Sequence, residues 1–300
     1  MDKKISLIVS VYNEQDGLRL FYTTAKKEMD KLIEAKPEYS YELIFVNDGS
    51  TDKSPEIMMR LKNDAPDNVK LIMLSRNFGH EAAMTAGLDY AEGDYLIFMD
   101  ADLQHPPASI PMIMEMFEDG HDIISMVRTK NEGSSAAGSF ASAVFYKIIN
   151  RISDANITPA ASDFFAIDKS AADVLRNNYR EKVRFLRGFV QNLGFDRTTL
   201  SYEAGARIAG ESHYSFKRLF RLSVDAVTCF SDMPLKLGIY AGLISGLLGF
   251  VLLIYTLFTR GGAPSGYATI VVLLCFMFAV LFMLLGIMGS YLSILFREMK

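Results

Sequence analysis

The distribution of charge along the chain constrains its fold more strongly than any other feature. Residues 237–259 carry no charged side chain, and neither do residues 261–296, although the chain contains 31 basic and 35 acidic residues. Each run is longer than the roughly 20 apolar residues that span a bilayer. We therefore predict a two-helix transmembrane hairpin over 235–296, with spans at about 237–259 and 268–293. A helical hairpin buried in a soluble core is the alternative, and these runs are long for it.

Basic residues flank the two apolar runs and predict their orientation. Lys236 precedes the first run, Arg297 and Lys300 follow the second, and the turn between them holds only Arg260. Basic flanks favour the cytoplasmic side of a membrane, and the N-terminus shows no pattern typical of a signal peptide. The sequence thus predicts a multi-pass protein of the cell (plasma) membrane whose N-terminal part and tail, 297–300, are both cytoplasmic.

A basic, amphipathic segment precedes the first apolar run. Phe216 and Phe220 recur at helical spacing, while Lys217 and Arg218 fall toward another face. This pattern is typical of a helix that lies in the membrane interface. We predict such an interfacial helix over 212–234, and a helix packed on the protein core is the alternative.

The first part of the chain alternates short β-rich runs with helical stretches. Strands are expected at 5–11, 41–47, 69–74, 94–99 and 122–127, and helices at 14–34, 54–63, 81–91 and 108–119. The alternation predicts an α/β fold with a doubly wound, mostly parallel sheet. In such sheets ligands bind beyond the carboxyl ends of the strands, so the residues that follow each strand are the candidate site.

Polar residues follow four of these strands, and the cluster after the fourth suits a metal ion. Asp100 and Asp102 stand two residues apart, with Gln104 two further on. Hard oxygen donors at this spacing favour Mg²⁺ or Mn²⁺. A solvated acidic turn is the alternative for an isolated pair of this kind, but the position at a strand end favours the metal.

The composition excludes a nucleic-acid partner. The net charge is −4 at pH 7, and no basic stripe interleaved with aromatic residues occurs in the first 200 residues. The two cysteines, Cys229 and Cys275, lie far apart in sequence and give neither a disulfide framework nor a metal-ligand cluster.

Several ordered motifs carry a resemblance to a known family. The stretches Val9–Glu14, Val46–Asp52 and Asp100–Gln104 resemble the family-2 inverting glycosyltransferases of GT-A fold. The further stretches Ser75–Glu81, Arg184–Gly188 and Arg207–Ser212 are similar to the polyprenyl-phosphate branch, which includes bactoprenol glucosyltransferases and dolichol-phosphate mannose synthases. The resemblance covers nearly the whole chain, and it implies a GT-A domain over residues 1–211.

The resemblance implies the reaction and its partners. A sugar, glucose or N-acetylglucosamine, is expected to move with inversion from a UDP-linked nucleotide-sugar to polyprenyl (undecaprenyl) phosphate. The sequence also permits a homo-oligomer through glycines in the spans, and a lipid-linked sugar made on the cytoplasmic face would need a flippase. The alternatives are a polysaccharide-type glycosyltransferase and a catalytically silent membrane scaffold of the same fold.

The resemblance also implies roles for individual residues on the donor side. The nucleotide would be bound by Tyr12, Glu14, Asp48, Asp100 and Arg207, and the metal by Asp100, Asp102 and Gln104. The catalytic set would be Asp163, Asp102 and Arg207. The second pKa of a phosphate monoester is about 6, so the acceptor is already largely the dianion at neutral pH. We therefore expect Asp163 to orient the acceptor or the sugar rather than to act as a base.

The acceptor phosphate would be met by basic residues. The candidates are Arg128, Arg184, Arg187, His213 and Lys217. Two positions depart from the family pattern, because Phe165 stands where relatives usually have arginine and residues 133–139 lack the usual basic side chains. These departures give the silent-scaffold alternative its support.

Overall fold

The computed structural model describes residues 3–129, 161–180, 186–203 and 266–299, together with the single residues 247 and 254. The chain divides into two compact units. The first comprises Met1–Lys147 with Ala155–Tyr214, and the second comprises Ile148–Asp154 with Ser215–Lys300. The first unit contains the β-sheet and most of the predicted site.

One mixed sheet of seven strands organises the first unit. The strands are β1 Lys3–Val11, β2 Tyr39–Asn47, β3 Val69–Met73, β4 Tyr95–Asp100, β5 Ile123–Arg128, β6 Ala161–Asp168 and β7 Arg197–Tyr202. They lie in the order β3-β2-β1-β4-β6-β5-β7. Four of the six neighbouring pairs are parallel, and β6 is antiparallel to both β4 and β5. The predicted α/β fold with a mostly parallel sheet is therefore confirmed.

The five predicted strands are confirmed with bounds that shift by one or two residues, whereas β6 and β7 were not predicted. The helices that the structure describes in the first unit are α1 Leu18–Ala35, α2 Ser54–Asp64, α3 His80–Tyr90, α4 Ile110–Glu118, α5 Lys169–Asn178 and α6 Leu186–Asn192. A 3₁₀ turn, Pro107–Ser109, leads into α4. The prediction that α1 begins at residue 14 is wrong, because the carbonyl of Glu14 instead accepts hydrogen bonds from the amides of Gly17 and Leu18 in a turn.

Helices pack on both faces of the sheet through buried apolar stripes. In α1 the buried side chains recur every three or four residues, as expected of a helix that covers a core. On α3, a Cβ at Gly87 would lie 2.2 Å from Cγ2 of Ile8, so only glycine permits this close approach of α3 to β1. The first turn of α3 lies beside the carboxyl end of β1, where Nδ1 of His80 is 2.9 Å from Oγ of Ser10.

The second unit contains α7, Gly266–Met299. Among the residues that the structure describes, no helix combines the length and the apolarity needed to cross a membrane. The two predicted spans stay a prediction. The predicted interfacial helix and the candidate residues Arg184, Arg207, His213 and Lys217 lie outside the described residues.

Candidate functional site

The candidate site lies where the strand order reverses. From β1 the chain builds outward to β2 and β3 on one side, and it then returns to place β4 on the other side. Such a reversal opens a crevice at the carboxyl ends of the two central strands. Ser10 of β1 and Asp100 of β4 are paired across this point.

The loops after β1 and β2 are joined by hydrogen bonds into one platform. The amide of Asn13 donates to Oγ of Ser50 at 3.0 Å, and the amide of Thr51 donates back to Oδ1 of Asn13 at 2.9 Å. The amide of Glu14 donates to Oγ of Ser54 at 2.9 Å. The platform thus fixes the backbone beside Tyr12, whose side chain is 47% exposed. Binding of a nucleoside by Tyr12 and Glu14 stays a prediction.

Asp48 holds the loop that precedes α3. Its side chain is buried, and its two carboxylate oxygens accept hydrogen bonds from the amides of Phe78 at 2.7 Å and Gly79 at 2.9 Å. The next residue, Gly49, has φ +67°, and a Cβ there would lie 2.4 Å from the carbonyl carbon of Arg76. Asp48 and Gly49 therefore lock this loop against β2, while a contact between Asp48 and a base stays a prediction.

A chain of hydrogen bonds links α3 to the end of β4. Oγ of Ser10 lies 3.1 Å from Oδ1 of Asp100 and 2.9 Å from Nδ1 of His80. A carboxylate only accepts, so the single hydroxyl proton of Ser10 is donated to Asp100. Nδ1 of His80 must then carry a proton and donate it to Ser10.

His80 and Arg187 face the same carboxylate. Nε2 of His80 lies 3.9 Å from Oδ2 of Asp163, and Nη1 of Arg187 lies 3.3 Å from Oδ1. Nε2 of His80 is buried and has no hydrogen-bond partner among the described residues. Burial alone would lower the pKa of His80, but Asp100 and Asp163 outweigh it and raise the pKa above its ordinary value. The site therefore joins Asp100 to Asp163 through a histidine that favours its charged form.

Glu81 is a partly buried acid next to this group. Burial and, after it, the charge of Asp163 raise the pKa of Glu81 to about 7. Its Oε2 accepts a hydrogen bond from the amide of Leu186 at 2.7 Å. Leu186 is the first residue of α6, and the second is Arg187.

The loop after β4 presents the predicted metal ligands. Oδ1 of Asp102 accepts from the amide of Gln104 at 3.0 Å, and Leu103 between them has φ +62°. His105 anchors the loop, because its Nδ1 accepts from the amide of Asp100 at 2.9 Å and its ring stacks on Phe164. In the part of the chain that the structure describes, no three or more His, Cys, Asp or Glu residues form a group that could hold a metal ion.

Arg128 is the second acceptor candidate that the structure describes, besides Arg187. It ends β5, where it is paired with Tyr202 of β7. Burial raises the pKa of Tyr202, the charge of Arg128 opposes this rise, and the charges of Asp100 and Asp102 add to it. Nε of Arg128 is buried without a hydrogen-bond partner in the described segments.

Phe165 is part of the core. It is paired with Phe98 across β6 and β4, and the two rings stack with centroids 4.5 Å apart. Only 4% of Phe165 is exposed. Where relatives usually have arginine, this chain therefore has an aromatic ring that packs in the core.

Three residues of the site were not among the predicted site residues. They are Ser10, His80 and Glu81. His80 and Glu81 follow the third strand at the same sheet edge as the predicted carboxylates, and Ser10 is a polar residue near the end of an apolar strand. Position at the strand ends was therefore the signal that could have found them.

The family model for glycosyl transferase family 2 matches residues 6–176, which is more than half of the chain. The chain belongs to glycosyl transferase family 2. The family predicted from the motifs at the strand ends is thereby confirmed.

Relatives in this family align with nearly the whole chain. The uncharacterized glycosyltransferase YkcC of Bacillus subtilis is 36% identical over 98% of this chain and 90% of its own length. A prophage-derived bactoprenol glucosyl transferase of Shigella flexneri is 33% identical over 99% of this chain and 95% of its own. Glucosyl-3-phosphoglycerate synthase from Mycobacterium tuberculosis, solved with Mn²⁺, UDP-glucose and phosphoglyceric acid, is 14% identical with a TM-score of 0.49, covering 75% of this chain and 78% of that one.

Proposed function

We propose that this glycosyltransferase moves a sugar from a nucleotide-sugar to polyprenyl phosphate with inversion at the anomeric carbon. The proposed donor is UDP-glucose or UDP-N-acetylglucosamine. The observation that carries the proposal is the alignment of bactoprenol glucosyl transferases with 99% of this chain. The meeting of Asp100 and Asp163 around His80 supports it, because it sets a donor-side and an acceptor-side carboxylate in one crevice.

On the donor side, Asp100 and Asp102 would hold Mg²⁺ or Mn²⁺. Their donor chemistry fits, because such ions in nucleotide sites are bound by one or two carboxylates together with the substrate phosphates. When bound, the ion neutralises the diphosphate and assists its departure. Ser10 and His105 keep Asp100 in place through the hydrogen bonds at its side chain and its amide.

On the acceptor side, the lipid phosphate would meet Arg187 and Arg128. An oxygen of this phosphate attacks the anomeric carbon and forms the new C–O bond, while the bond to the nucleotide diphosphate breaks and its electron pair leaves with the diphosphate. The dianionic phosphate has no proton to lose, so Asp163 is assigned to orientation. Its carboxylate holds Arg187 and faces His80, which keeps the cations at fixed positions for alignment of the two substrates.

We further propose that the reaction takes place at the cytoplasmic face of the cell membrane. The uncharged runs 237–259 and 261–296 and their basic flanks support this placement. A polyprenyl acceptor is itself confined to a membrane, so an anchored catalyst would meet it at high local concentration. A sugar attached there would require a flippase to reach the other face.

The test is a transfer assay with the full chain in membranes. UDP-glucose, UDP-N-acetylglucosamine and GDP-mannose, each labelled in the sugar, are supplied in turn with undecaprenyl phosphate and Mn²⁺ or Mg²⁺. The variant is Asp102→Asn, and Asp119→Asn on an exposed turn is its matched control. Label should enter extractable lipid from one donor, and it should be lost with a chelator or with Asp102→Asn but not with Asp119→Asn. Absence of lipid label from all three donors would contradict the lipid acceptor.

A further inference from the structure

One hydrogen bond connects two elements that are 105 residues apart in sequence. Oε2 of Glu81, in the first turn of α3, accepts from the backbone amide of Leu186 at 2.7 Å. Leu186 begins α6, and Arg187, the next residue, carries the guanidinium that contacts Asp163. The bond therefore connects the part of the site that follows β3 with the residue that meets Asp163.

Helix α6 depends on contacts of this kind. The structure describes it over Leu186–Asn192, and the first four amides of any helix have no acceptor within the helix. A short helix is stabilised mainly by contacts with the rest of the protein rather than by its own hydrogen bonds. The buried side chains of Phe189 and Val190 hold its body, whereas the amide of Leu186 at its start is held by Glu81.

The chemistry of Glu81 favours a specific role over simple packing. A carboxyl group that is buried beside Asp163 is less favourable than an apolar side chain would be at the same place, because burial and a like charge both oppose its ionisation. What the carboxyl provides is a hydrogen-bond acceptor directed at the start of α6. Asp163 cannot provide it, because its two oxygens face Arg187 and His80.

We propose that Glu81 is a positioning residue for sugar transfer, which anchors the start of α6 and so keeps the guanidinium of Arg187 against Asp163. The inference rests on the proposed function, in which Arg187 meets the acceptor phosphate. Glu81 touches neither substrate. It acts through Arg187, and its loss should affect the acceptor rather than the nucleotide-sugar.

Two substitutions separate anchoring from charge. Glu81→Gln keeps an oxygen that can accept from the Leu186 amide, whereas Glu81→Ala removes it. The matched control is Asp168→Ala, because Oδ1 of Asp168 accepts from the amide of Ala171 at 2.8 Å at the start of α5, at the opposite end of β6 from Asp163. All three variants are made in the full chain, and initial rates are measured against both substrates.

Glu81→Ala should lower kcat/KM for undecaprenyl phosphate by about tenfold, the effect of one lost hydrogen bond at a positioned group. KM for the nucleotide-sugar should stay within about twofold, and Glu81→Gln should recover most of the activity. Asp168→Ala should leave both substrate constants as they are. Equal losses in Glu81→Ala and Glu81→Gln, or a loss that falls on the nucleotide-sugar, would overturn the inference.

A second measurement is independent of activity. Hydrogen exchange of residues 186–192, followed by mass spectrometry, should become faster in Glu81→Ala and remain slow in Glu81→Gln and Asp168→Ala. Unchanged exchange in Glu81→Ala would overturn the anchoring role whatever the activity. If the unaltered chain puts no sugar on the lipid while exchange responds as expected, the proposed function has failed and the anchor between α3 and α6 stands.

Discussion

Arg187 and Asp163 form an ion pair at the carboxyl edge of the sheet, with Nη1 of the arginine 3.3 Å from Oδ1 of the aspartate. The second oxygen of Asp163 faces Nε2 of His80 at 3.9 Å. One carboxylate is thus shared by two basic groups from two different helices. Because Asp163 remains 37% exposed at its side chain, a substrate can still reach the pair.

This pair predicts a large effect of Arg187 on transfer. Arg187→Ala should lower kcat/KM for polyprenyl phosphate by roughly 10- to 100-fold, since it removes the charged donor that the proposed function assigns to the phosphate. Arg187→Lys should recover only part, because an ammonium group lacks the planar, two-pronged geometry of guanidinium. Initial rates at varied lipid concentration measure both.

The matched control for Arg187 is Arg180→Ala. Arg180 also pairs with an aspartate, Asp89, at 2.6 Å, but its side chain is 52% exposed, and exposed pairs of this kind contribute little. Equal rates for Arg187→Ala and Arg180→Ala would show that the pair with Asp163 has no part in transfer.

We predict that replacing Asp48 lowers the stability of the chain even when no nucleotide is bound. In Asp48→Asn only one side-chain oxygen remains, so either the Phe78 or the Gly79 amide loses its acceptor and faces an NH₂ group instead. A buried donor left without a partner costs roughly 1–3 kcal/mol. Thermal unfolding of the full chain without nucleotide measures the loss.

Asp52→Asn is the matched control for Asp48. Asp52 also accepts from two backbone amides, those of Gln15 and Ser54, but it is only half-buried, and water can replace the lost bond. A smaller loss of stability is therefore expected. Suppose that both variants unfold at the same temperature as the unaltered chain and that only Asp48→Asn binds nucleotide more weakly. Asp48 would then contact the base rather than stabilise the loop.

We predict that a side chain at Gly49 causes a steric clash, whose effect can be separated from that of backbone strain. Gly49→Ala would place a Cβ 2.4 Å from the Arg76 carbonyl carbon, so the loop before α3 has to move. Gly120→Ala is the control, because Gly120 also has a positive φ, +97°, but has nothing within 4 Å of the added Cβ. Strain alone costs about 1–3 kcal/mol.

Calorimetric titration with UDP and thermal unfolding test the two glycine variants together. Gly49→Ala should lose more stability than Gly120→Ala, and only Gly49→Ala should weaken nucleotide binding. Similar behaviour of the two variants would mean that the close approach of β2 to the Arg76 loop has no bearing on the site.

The sequence could predict that Asp48 and Asp100 lie at one edge of the sheet because their placement depends on local rules. The carboxyl ends of parallel strands meet at one edge of a sheet. Asp48 and Asp100 each lie at the end of a strand that the sequence marks clearly, so their placement near the same crevice follows. The hydrogen bonds from two backbone amides to Asp48, by contrast, could not be read from the pattern of polar and apolar residues.

The acceptor side was less predictable because it depends on distant contacts. The position of Asp163 is set by β6, which inserts antiparallel between β4 and β5 and is connected to neither by a short turn. The edge strand β7 is also difficult to recognise, because its residues are mostly polar and only Tyr202 is buried. The hydrogen bond that the Leu186 amide donates to Glu81 cannot be recognised from the sequence of either helix.

We also predict that the ionisation of Glu81 makes the free energy of unfolding depend on pH. Its pKa is raised from 4.5 to about 7 in the folded chain, so below pH 4.5 the folded and unfolded forms are both protonated and stability is complete. As the pH rises from about 4.5 to about 7, the unfolded form is ionised while the folded form still holds its proton, and stability falls. The fall ends above that pH.

Glu81→Gln has no proton to lose and should escape this fall. Relative to the unaltered chain, its free energy of unfolding should gain little at pH 4.5 and at most roughly 3 kcal/mol at pH 8, since each pKa unit corresponds to about 1.4 kcal/mol. Denaturant unfolding of the purified full chain at both pH values measures the difference. Parallel stability curves for the two proteins would show that Glu81 does not resist ionisation in the fold, and the burial of this carboxyl beside Asp163 would then be without energetic consequence.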